Sequence, residues 1–407
     1  MNKSDAERIA SVFEDAGLNE TKKESEADIV ITVACSVRQS GINRIYGKIK
    51  EWQDIRAKRP LTTILSGCVL KSDRKKMNKF FDLIFEINDV SKLTDFLETN
   101  IASEQKFFQI HPKYDSTFQA YVPISTGCNN FCTYCAVPYT RGREVSRPMD
   151  EIITEVQRLI EKDYKEITLL GQNVNSYGND LKDDTTFTDL IKKIDEIEGT
   201  YRVYFYSNHP KDMSDELIEI LPKLDHFPHY IHLPLQSGSD KILKSMNRHY
   251  TQKQYLELAE KIKKNVPEVA ITTDIIVGFP GETEEDFFKT KQIMEKVGFS
   301  MPFIAKYSSR PGTVAAKLED NISKEEKEKR WRELTAIQKE ILSRENKKLV
   351  GENLMVLIDS EKKDKYYGRT DNYKVVELPK KQTDPIGQFV NVEIIDSEAW
   401  ILKGKIS

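Results

Sequence analysis

The chain has 407 residues, 39% of them hydrophobic, which is enough apolar material for two or three domains that fold without disulfide staples. It has no apolar run of about 18 residues and begins without a signal-peptide or lipidation pattern, so we expect a cytoplasmic protein with no membrane segment. The 62 basic and 65 acidic residues nearly cancel, so the overall charge neither favours nor excludes a nucleic-acid partner.

Any contact with RNA must therefore come from local groups of cations. The sequence offers four such groups: Lys71, Arg74, Lys75, Lys76 and Lys79; Arg141, Arg143 and Arg147; Arg248 with His249; and Lys306 with Arg310. A run of charge is more often a solvated surface than a binding site. Only the second group has neighbours that favour a functional role, because it follows a cysteine-rich segment.

Residues 1–105 alternate strand-like and helix-like segments, which predicts a small doubly wound α/β domain. The predicted strands are DIVITVACSV, TTILSG and DLIFEI, and the predicted helices run from Gln39 to Lys58 and after Cys68. Ser4 and Glu7 match a capping box, which predicts a helix that opens there. Such a sheet usually has a strand before this helix, so we expect the domain to be truncated at its start.

Residues 114–345 contain six apolar segments separated by helical periodicity: AYVPIS, EITLLG, YRVYFYS, YIHLPL, AITTDIIVG and PFIAKYS. This pattern predicts a partial, open TIM-like (β/α)6 barrel. The loops after the strands read STGCNNFC, GQNVNSYG, SNHP, QSGS and GFPGE. Because chemistry in parallel barrels lies at the carboxyl ends of the strands, these polar loops are expected to form the site.

The last part of the chain changes character. Ser323 and Glu326 predict the start of a long helix, with Trp331, Leu334, Ile337 and Ile341 on one face. Residues 347–407 then form short strand-like segments joined by polar turns: LMVLIDS, YYGRT, YKVVEL, QFVNVEIID and WILKGKI. They predict a small OB-like β-barrel.

Three of the five cysteines, Cys128, Cys132 and Cys135, form the spacing CxxxCxxC after the first predicted barrel strand. In a reducing compartment this spacing points to metal ligation rather than to disulfides. Three thiolates can hold three irons of a [4Fe–4S] cubane and leave the fourth iron open. A zinc site is the alternative, but structural zinc takes four ligands, and the nearest histidine is His111.

This cysteine motif, with Tyr134 before its last cysteine, resembles the radical S-adenosylmethionine (SAM) superfamily. Longer stretches resemble the MiaB-type tRNA methylthiotransferases in particular: TGCNNFCTYCAVPYTRGREVSRP, LLGQNVNSYG, LPLQSGSDKILKSMNRHYT, DIIVGFPGETEEDF and YSSRPGTVAA. The likeness covers essentially the whole chain, including a C-terminal TRAM domain over residues 347–407. Sister groups, which act on a ribosomal protein or on threonylcarbamoyl-adenosine, usually differ at the Pro-Tyr-Thr-Arg-Gly and Gly-Gln-Asn-Val-Asn stretches.

The resemblance implies that the open iron binds the amino and carboxylate groups of SAM and that one electron cleaves the sulfonium. The positions implied as SAM contacts are Tyr134, Gly171, Gln172, Ser207, Asn208, Gln236 and Gly278. Each of them also has an ordinary interpretation, because small and polar residues are common in turns at strand ends. Arg141 and Arg143 are candidates for pairing with either the SAM carboxylate or an RNA phosphate.

The resemblance also implies an auxiliary [4Fe–4S] cluster in the N-terminal methylthiotransferase domain, whose sulfur enters the product. Cys35 and Cys68 match two of its three ligands, and the third would fall just ahead of Met1. An isolated pair of cysteines would otherwise be interpreted as buried apolar thiols. If Met1 is the true start, two thiolates would hold the cluster poorly, and a tRNA-binding chain without sulfur insertion becomes the alternative.

The implied reaction adds a methylthio group to carbon 2 of N6-isopentenyladenosine beside the anticodon, with consumption of two SAM molecules. The TRAM domain would hold the anticodon arm of the tRNA, with Tyr366, Tyr367 and Arg369 as stacking and phosphate contacts; packing within the small barrel is the alternative for these side chains. Action on threonylcarbamoyl-adenosine or on a protein side chain remains open. By analogy we expect an electron donor such as flavodoxin, and a monomer.

Overall fold

The computed structural model describes residues 1–36, 39–98, 107–380 and 385–407. These residues form two compact units. The first unit comprises Met1–Asp115, Ser125–Arg147 and Ser308–Leu318, and the second comprises Ser116–Ile124, Pro148–Tyr307 and Glu319–Ser407. The predicted domain boundary at residue 105 lies outside the described residues, and the domain ranges 1–105, 114–345 and 347–407 stay predictions.

Helices and strands alternate through most of the described chain. The α-helices are α1 Asn2–Asp15, α2 Gln39–Arg56, α3 Lys71–Met77, α4 Ser91–Phe96, α5 Val137–Thr140, α6 Met149–Glu161, α7 Phe187–Asp195, α8 Asp215–Ile220, α9 Asp240–Ser245, α10 Gln252–Asn265, α11 Glu284–Val297 and α12 Lys324–Lys347. Short 3-10 turns lie at Phe107–Gln109, Val174–Ser176, Pro210–Asp212, Leu221–Lys223 and Ala315–Lys317.

The strands are β1 Ile29–Cys35, β2 Thr62–Cys68, β3 Leu83–Ile84, β4 Gln119–Pro123, β5 Ser125–Thr126, β6 Val145–Ser146, β7 Glu166–Leu170, β8 Arg202–Phe205, β9 Tyr230–His232, β10 Ala270–Val277, β11 Met301–Lys306, β12 Asn353–Lys362, β13 Lys365–Thr370, β14 Val375–Pro379, β15 Phe389–Ser397 and β16 Leu402–Ile406. No described helix is both long and apolar enough to span a lipid bilayer.

The amino-terminal sheet is parallel, in the order β1-β2-β3, and helices cover both of its faces. On one face, Ile9 of α1 and Leu93 of α4 pack with Ile64 of β2. On the other face, Trp52 of α2 and Leu65 of β2 belong to a separate apolar cluster that also includes Met77 of α3. The doubly wound arrangement predicted for this region is therefore confirmed.

The predicted capping box at the first helix is wrong. Helix α1 begins at Asn2, so Ser4 and Glu7 lie inside its first turns rather than at its start. The hydroxyl of Ser4 accepts a hydrogen bond from Arg8 Nη1 at 2.7 Å, and Glu7 Oε1 accepts one from the backbone N–H of Asp115 at 3.4 Å. The Ser4 side chain therefore makes a contact within the helix, and the Glu7 side chain makes a long-range contact that the local pattern did not reveal.

The second unit contains the predicted barrel strands. They are parallel and form two sheets, in the orders β4-β7-β8 and β11-β10-β9. Side chains alternate along β8: the ring of Phe205 packs against Phe187 of α7 at 5.1 Å, whereas the ring of Tyr204 faces the interior and lies 5.6 Å from Tyr230 of β9. The six strand segments predicted from the sequence and their partial-barrel architecture are confirmed.

The carboxyl-terminal residues form a closed five-stranded barrel, which confirms the predicted small β-barrel, and its strand order is β12-β13-β14-β16-β15. Helix α12 leads into it, and the hydroxyl of Ser323 caps that helix by accepting the Glu326 N–H at 3.1 Å. Tyr373, which lies between β13 and β14, reaches into the interior of the partial barrel. Its ring lies 5.1 Å from Tyr204 and 5.3 Å from Tyr230.

Candidate functional site

The loop that carries the three clustered cysteines closes on itself within the first unit. Strands β5 and β6 pair at its two ends, and the Cys128 N–H donates to the carbonyl of Gly142 at 3.2 Å. Gly127 has φ +79°, and a Cβ at this position would lie 1.9 Å from the carbonyl oxygen of Arg143. Only glycine allows the two ends of the loop to approach this closely.

The three thiols of this loop suit an iron–sulfur cluster. Cys128 is buried, while Cys132 and Cys135 are partly exposed and joined by a turn in which the Cys135 N–H donates to the Cys132 carbonyl at 2.9 Å. Burial raises the pKa of Cys128, so a bound cation is needed to hold it as a thiolate at neutral pH.

A [4Fe–4S] cubane needs a different arrangement of ligands from a single metal ion. Among the residues that the structure describes, no three Cys, His, Asp or Glu side chains are grouped so as to hold one metal ion. In a cubane each iron takes its own thiolate, so the sulfurs lie at separate corners. The thiolates of the three cysteines on this closed loop therefore suit three iron corners of one cubane.

A contact within the cysteine loop and a contact to a second segment of the first unit hold this loop. The guanidinium of Arg143 lies 4.4 Å from the centre of the Phe131 ring, and the Ala315 N–H donates to the Thr133 carbonyl at 2.8 Å. Arg310, which precedes Ala315, donates to Gln39 Oε1 of α2 at 2.9 Å. Residues far apart in the sequence therefore hold this loop in place.

The other two cysteines lie side by side at the ends of neighbouring strands. Cys35 ends β1, Cys68 ends β2, and the two are direct partners in the parallel ladder. Cys35 is exposed and Cys68 is buried. Burial raises the pKa of the Cys68 thiol, and the neighbouring charge of Arg141 opposes that shift.

Arg141 has a different environment from the one that the sequence suggested. Its side chain is 2% exposed, its Nε donates to Cys68 Sγ at 2.8 Å, and its Nη2 donates to Asn2 Oδ1 at 3.2 Å and to the buried carboxylate of Asp5. In this arrangement the guanidinium contacts the Cys68 thiol, and its pairing with the SAM carboxylate or an RNA phosphate stays a prediction. Arg143, by contrast, is exposed.

The second unit carries most of the predicted SAM contacts at the carboxyl ends of its strands. Ser207 after β8 and Gln236 after β9 have φ values of +68° and +67°, a strained conformation for residues with side chains. Asn208 donates from Nδ2 to the His232 carbonyl at 2.9 Å, while its Oδ1 is buried with no partner in the described part of the chain. Strain and an unsatisfied acceptor together make these strand ends a candidate ligand site.

The remaining predicted contacts are distributed over both units. Gly171 and Gln172 follow β7 in the second unit, and Tyr134 lies with the clustered cysteines in the first. Gly278 follows β10 with φ +70°, and a Cβ there would lie 2.3 Å from Cγ of Lys327. Its N–H donates to Glu282 Oε2 at 2.6 Å, so the backbone at Gly278 is held by this carboxylate.

Comparison with known proteins identifies the family. The chain matches the models of the uncharacterized protein family UPF0004 over residues 1–86, the radical SAM superfamily over residues 122–293 and the TRAM domain over residues 347–407. It is 41% identical over 426 residues to the tRNA-2-methylthio-N(6)-dimethylallyladenosine synthase of Thermoanaerobacter sp. (strain X514), with coverage of 100% of this chain and 90% of the relative. The chain belongs to the tRNA methylthiotransferase family.

Other relatives agree with this assignment. The synthase of the same name from Clostridium botulinum (strain Langeland / NCTC 10281 / Type F) is 40% identical over 425 residues, with coverage of 100% of this chain and 94% of the relative. Among solved structures, the radical SAM methyltransferase TsrM from Kitasatospora setae has a TM-score of 0.55 at 12% identity and covers 77% of this chain and 73% of its own. That likeness shows the fold alone. As a radical SAM enzyme, this methylthiotransferase uses a [4Fe–4S] cluster and SAM.

Several of the candidate cations for RNA contact have partners within the protein. Arg248 is buried and donates to the Pro234 carbonyl at 3.2 Å. Lys306 pairs with Glu328 at 2.6 Å, and Arg147 lies over the Phe108 ring at 5.5 Å. The exposed cations of the first predicted group are Lys71, Lys75, Lys76 and Lys79.

Sequence reasoning missed an interior polar network of the partial barrel. His232 Nδ1 lies 3.1 Å from Thr272 Oγ1, and its Nε2 lies 3.4 Å from Asp274 Oδ2. These residues belong to strands that read as ordinary apolar segments. Alternation along β9 and β10, where these side chains share a face with Tyr230, is the signal that would have identified them.

Proposed function

We propose that this methylthiotransferase adds a methylthio group to carbon 2 of N6-dimethylallyladenosine, the isopentenyl-modified adenosine beside the anticodon of tRNA. The observation that carries the proposal is the 41% identity to a synthase of that name along the whole chain, cysteine motif included. All three family models fall along the chain in the same order as the predicted N-terminal, radical SAM and TRAM domains.

Cys128, Cys132 and Cys135 would hold the [4Fe–4S] cluster of the radical SAM site. When bound, the cluster and SAM supply the single-electron chemistry that an aromatic C–H bond requires, because no side chain can deprotonate such a bond at neutral pH. The protein contributes the positions of the cluster ligands. The closed loop at Gly127 positions the three thiolates, and the hydrogen bond from the Ala315 N–H to the Thr133 carbonyl ties that loop to a second segment of the first unit.

The strand ends of the second unit would bind SAM. Because Nδ2 of Asn208 is already committed to the His232 carbonyl, its Oδ1 is fixed as an acceptor and suits a ribose hydroxyl. Ser207, directly before Asn208, and Gln236, later in the sequence, both have the left-handed backbone conformation. Gly171, Gln172 and Gly278 complete the proposed set of contacts in this unit, and contact of SAM with Tyr134 of the first unit stays a prediction.

Cys35 and Cys68 would be two ligands of an auxiliary [4Fe–4S] cluster that provides the sulfur. Their ladder register brings the two thiols to the same edge of the sheet, and the Arg141 guanidinium stabilises negative charge on Cys68. Two SAM molecules would be consumed per product. We propose further that the enzyme acts as a cytoplasmic monomer with a flavodoxin-like electron donor, and that its TRAM domain contacts the anticodon arm.

Anaerobic reconstitution followed by assay on tRNA that carries N6-isopentenyladenosine tests this function. The wild-type protein should cleave SAM and yield the methylthio nucleoside, while threonylcarbamoyl-adenosine tRNA should remain unmodified. The C128A/C132A/C135A variant should lose SAM cleavage. The C35A/C68A variant should cleave SAM but form no methylthio product.

Two outcomes would contradict the proposal. Product from threonylcarbamoyl-adenosine tRNA alone would move the enzyme to a sister specificity. Full product formation by the C35A/C68A variant would remove these cysteines from the sulfur-donating site.

A further inference from the structure

A groove in the second unit has aromatic walls that the fold does not explain. It encloses about 420 Å³ between strand β11 and the carboxyl-terminal barrel, within the range of roughly 300–1,000 Å³ that small-ligand sites occupy. Phe303 of β11 and Trp400, in the turn before β16, both line it. Phe303 is 51% exposed and Trp400 is 44% exposed, so two large rings flank one cavity without being buried by the protein itself.

The position of Phe303 makes its exposure informative. In the described part of the chain, β11 pairs with β10 on one side only, and Phe303 is the partner of Asp274 in that ladder. Because Phe303 is 51% exposed, it leaves about half of its surface in water and forgoes that share of the stabilisation that full burial gives an aromatic side chain. Single exposed apolar residues are ordinary, but two rings on one concave surface are typical of a binding site.

Aromatic and cationic groups continue along the groove. The Tyr373 ring lines it and stacks under the guanidinium of Arg369, at 4.6 Å from the ring centre. Arg369 also donates to Asp359 Oδ2 at 2.8 Å, and Lys374 Nζ donates to Asn346 Oδ1 at 2.8 Å. Exposed rings beside fixed cations match the two parts of a nucleotide, a flat base and a phosphate.

We propose that this groove binds one nucleotide of the tRNA in single-stranded form, with its base stacked on Phe303 and Trp400. The proposal rests on the proposed function, which makes RNA the partner, and adds a subsite to it. Stacking on aromatic rings tolerates any base, so the groove would contribute affinity rather than sequence specificity.

The nucleotide in the groove is not the one that is modified. Tyr230, which lines the groove, begins β9, whereas Gln236 lies six residues further along the chain at the proposed SAM site. Tyr230 pairs with Ala270 of β10 and Gln236 bridges to Ile275 of the same strand, five residues further on, so at about 3.3 Å per strand residue the two positions are separated by roughly 17 Å. The RNA must therefore extend along the strands, with the modified adenosine at one end and the stacked nucleotide at the other.

Alanine variants of the two rings test the groove. F303A and W400A should each weaken binding of the anticodon stem-loop about five- to 150-fold, the range found for base–aromatic stacking. Phe288, on helix α11 outside the groove, is 52% exposed and provides the matched control, so F288A should bind like the wild type. Iron content and SAM cleavage should be unchanged in all three variants.

Fluorescence gives a second readout at the same site. RNA binding should quench Trp400, and the quench should disappear in W400F although Trp52 and Trp331 remain. Wild-type RNA affinity in both F303A and W400A would overturn the proposal that the groove binds a nucleotide. An equal loss of RNA affinity in F288A would overturn it as well. A change in oligomeric state in F303A or W400A without loss of RNA affinity would show a contact between copies instead.

The two proposals fail in distinguishable ways. A wild-type protein that makes the methylthio product while both alanine variants bind RNA normally refutes the groove alone. A wild-type protein that binds RNA through Phe303 and Trp400 but forms no methylthio product refutes the proposed function alone.

Discussion

Removal of Arg330 should destabilise the loop that carries Gly278 more than removal of its partner Glu282. Both side chains are buried, at 5% and 1% exposure, and they pair at 2.7 Å. Without Arg330, the Glu282 carboxylate keeps the Gly278 N–H as its neighbour and loses its counter-charge. Breaking a buried ion pair in this way costs about 3–5 kcal/mol. We therefore expect R330M to lower the free energy of unfolding by about that amount.

Substitution of Glu282 should lower the stability less than substitution of Arg330, because Arg330 keeps other partners. In E282Q, Arg330 still pairs with Glu326 at 2.9 Å and donates to the carbonyl of residue 282 at 3.1 Å. The glutamine also keeps an oxygen for the Gly278 N–H. Its cost should therefore be about 1–3 kcal/mol, the cost of an imperfect replacement at a buried polar site. The E282Q/R330M double variant should be more stable than R330M, because it leaves no unpaired buried carboxylate.

Urea unfolding of the four proteins, followed by circular dichroism, measures these differences, provided that the slopes agree. R332M is the control on the same helix. Arg332 is 74% exposed and pairs with Glu328, so its loss should cost no more than about 1 kcal/mol. A double variant that is less stable than R330M would refute the reasoning, since it would show that the unpaired charge is not what destabilises the single variant. SAM affinity, measured in parallel, should fall with R330M because Glu282 positions the Gly278 backbone.

The remaining predictions concern the two units separately. N208A should weaken SAM binding roughly two- to tenfold, because it removes one hydrogen bond. N265A, at an exposed position on helix α10, should leave SAM binding unchanged. Equal SAM affinities of N208A and N265A, measured by calorimetry, would contradict the proposed contact. G127A should abolish iron incorporation, because its Cβ would collide with the Arg143 carbonyl. G142A has open space around its Cβ position and should retain more iron. Equal iron content in the two variants would show that the loop can relax around the added Cβ. Burial raises the pKa of Glu7 from its ordinary value of 4.5 to about 6, so the folded state holds this proton more tightly than the unfolded state. Glu7 therefore favours folding below about pH 4.5 and loses that contribution as the pH rises to about 6, and the stability difference between wild type and E7Q should change over that window and be flat outside it.

Local patterns in the sequence determined the cysteine loop and the succession of strands along the chain. The spacing of Cys128, Cys132 and Cys135 already specifies three thiolates on one loop, because ligands this close in sequence need little help from the fold. The six barrel segments and the carboxyl-terminal strands were likewise readable, since alternation and turn residues act over a few positions. The family resemblance rests on the same continuous stretches of sequence.

Only the tertiary structure decided where individual side chains lie. Arg141 contacts Cys68, a residue 73 positions away, so no local pattern linked the two. Tyr366, expected to stack on RNA, is 2% exposed in the core of the small barrel, while its neighbour Tyr367 faces the groove. The left-handed backbone at Ser207 was not readable from the sequence, because no glycine marks that position.

The groove shows the same division between sequence and structure. Phe303 and Trp400 lie almost one hundred residues apart, and each is an unremarkable aromatic residue in its own strand or turn. Their exposure depends on which face of β11 is uncovered and on where the carboxyl-terminal barrel docks within the second unit. A sequence determines the type and order of elements through short-range energetics, whereas shared surfaces arise from packing between distant segments, which no short window of sequence contains.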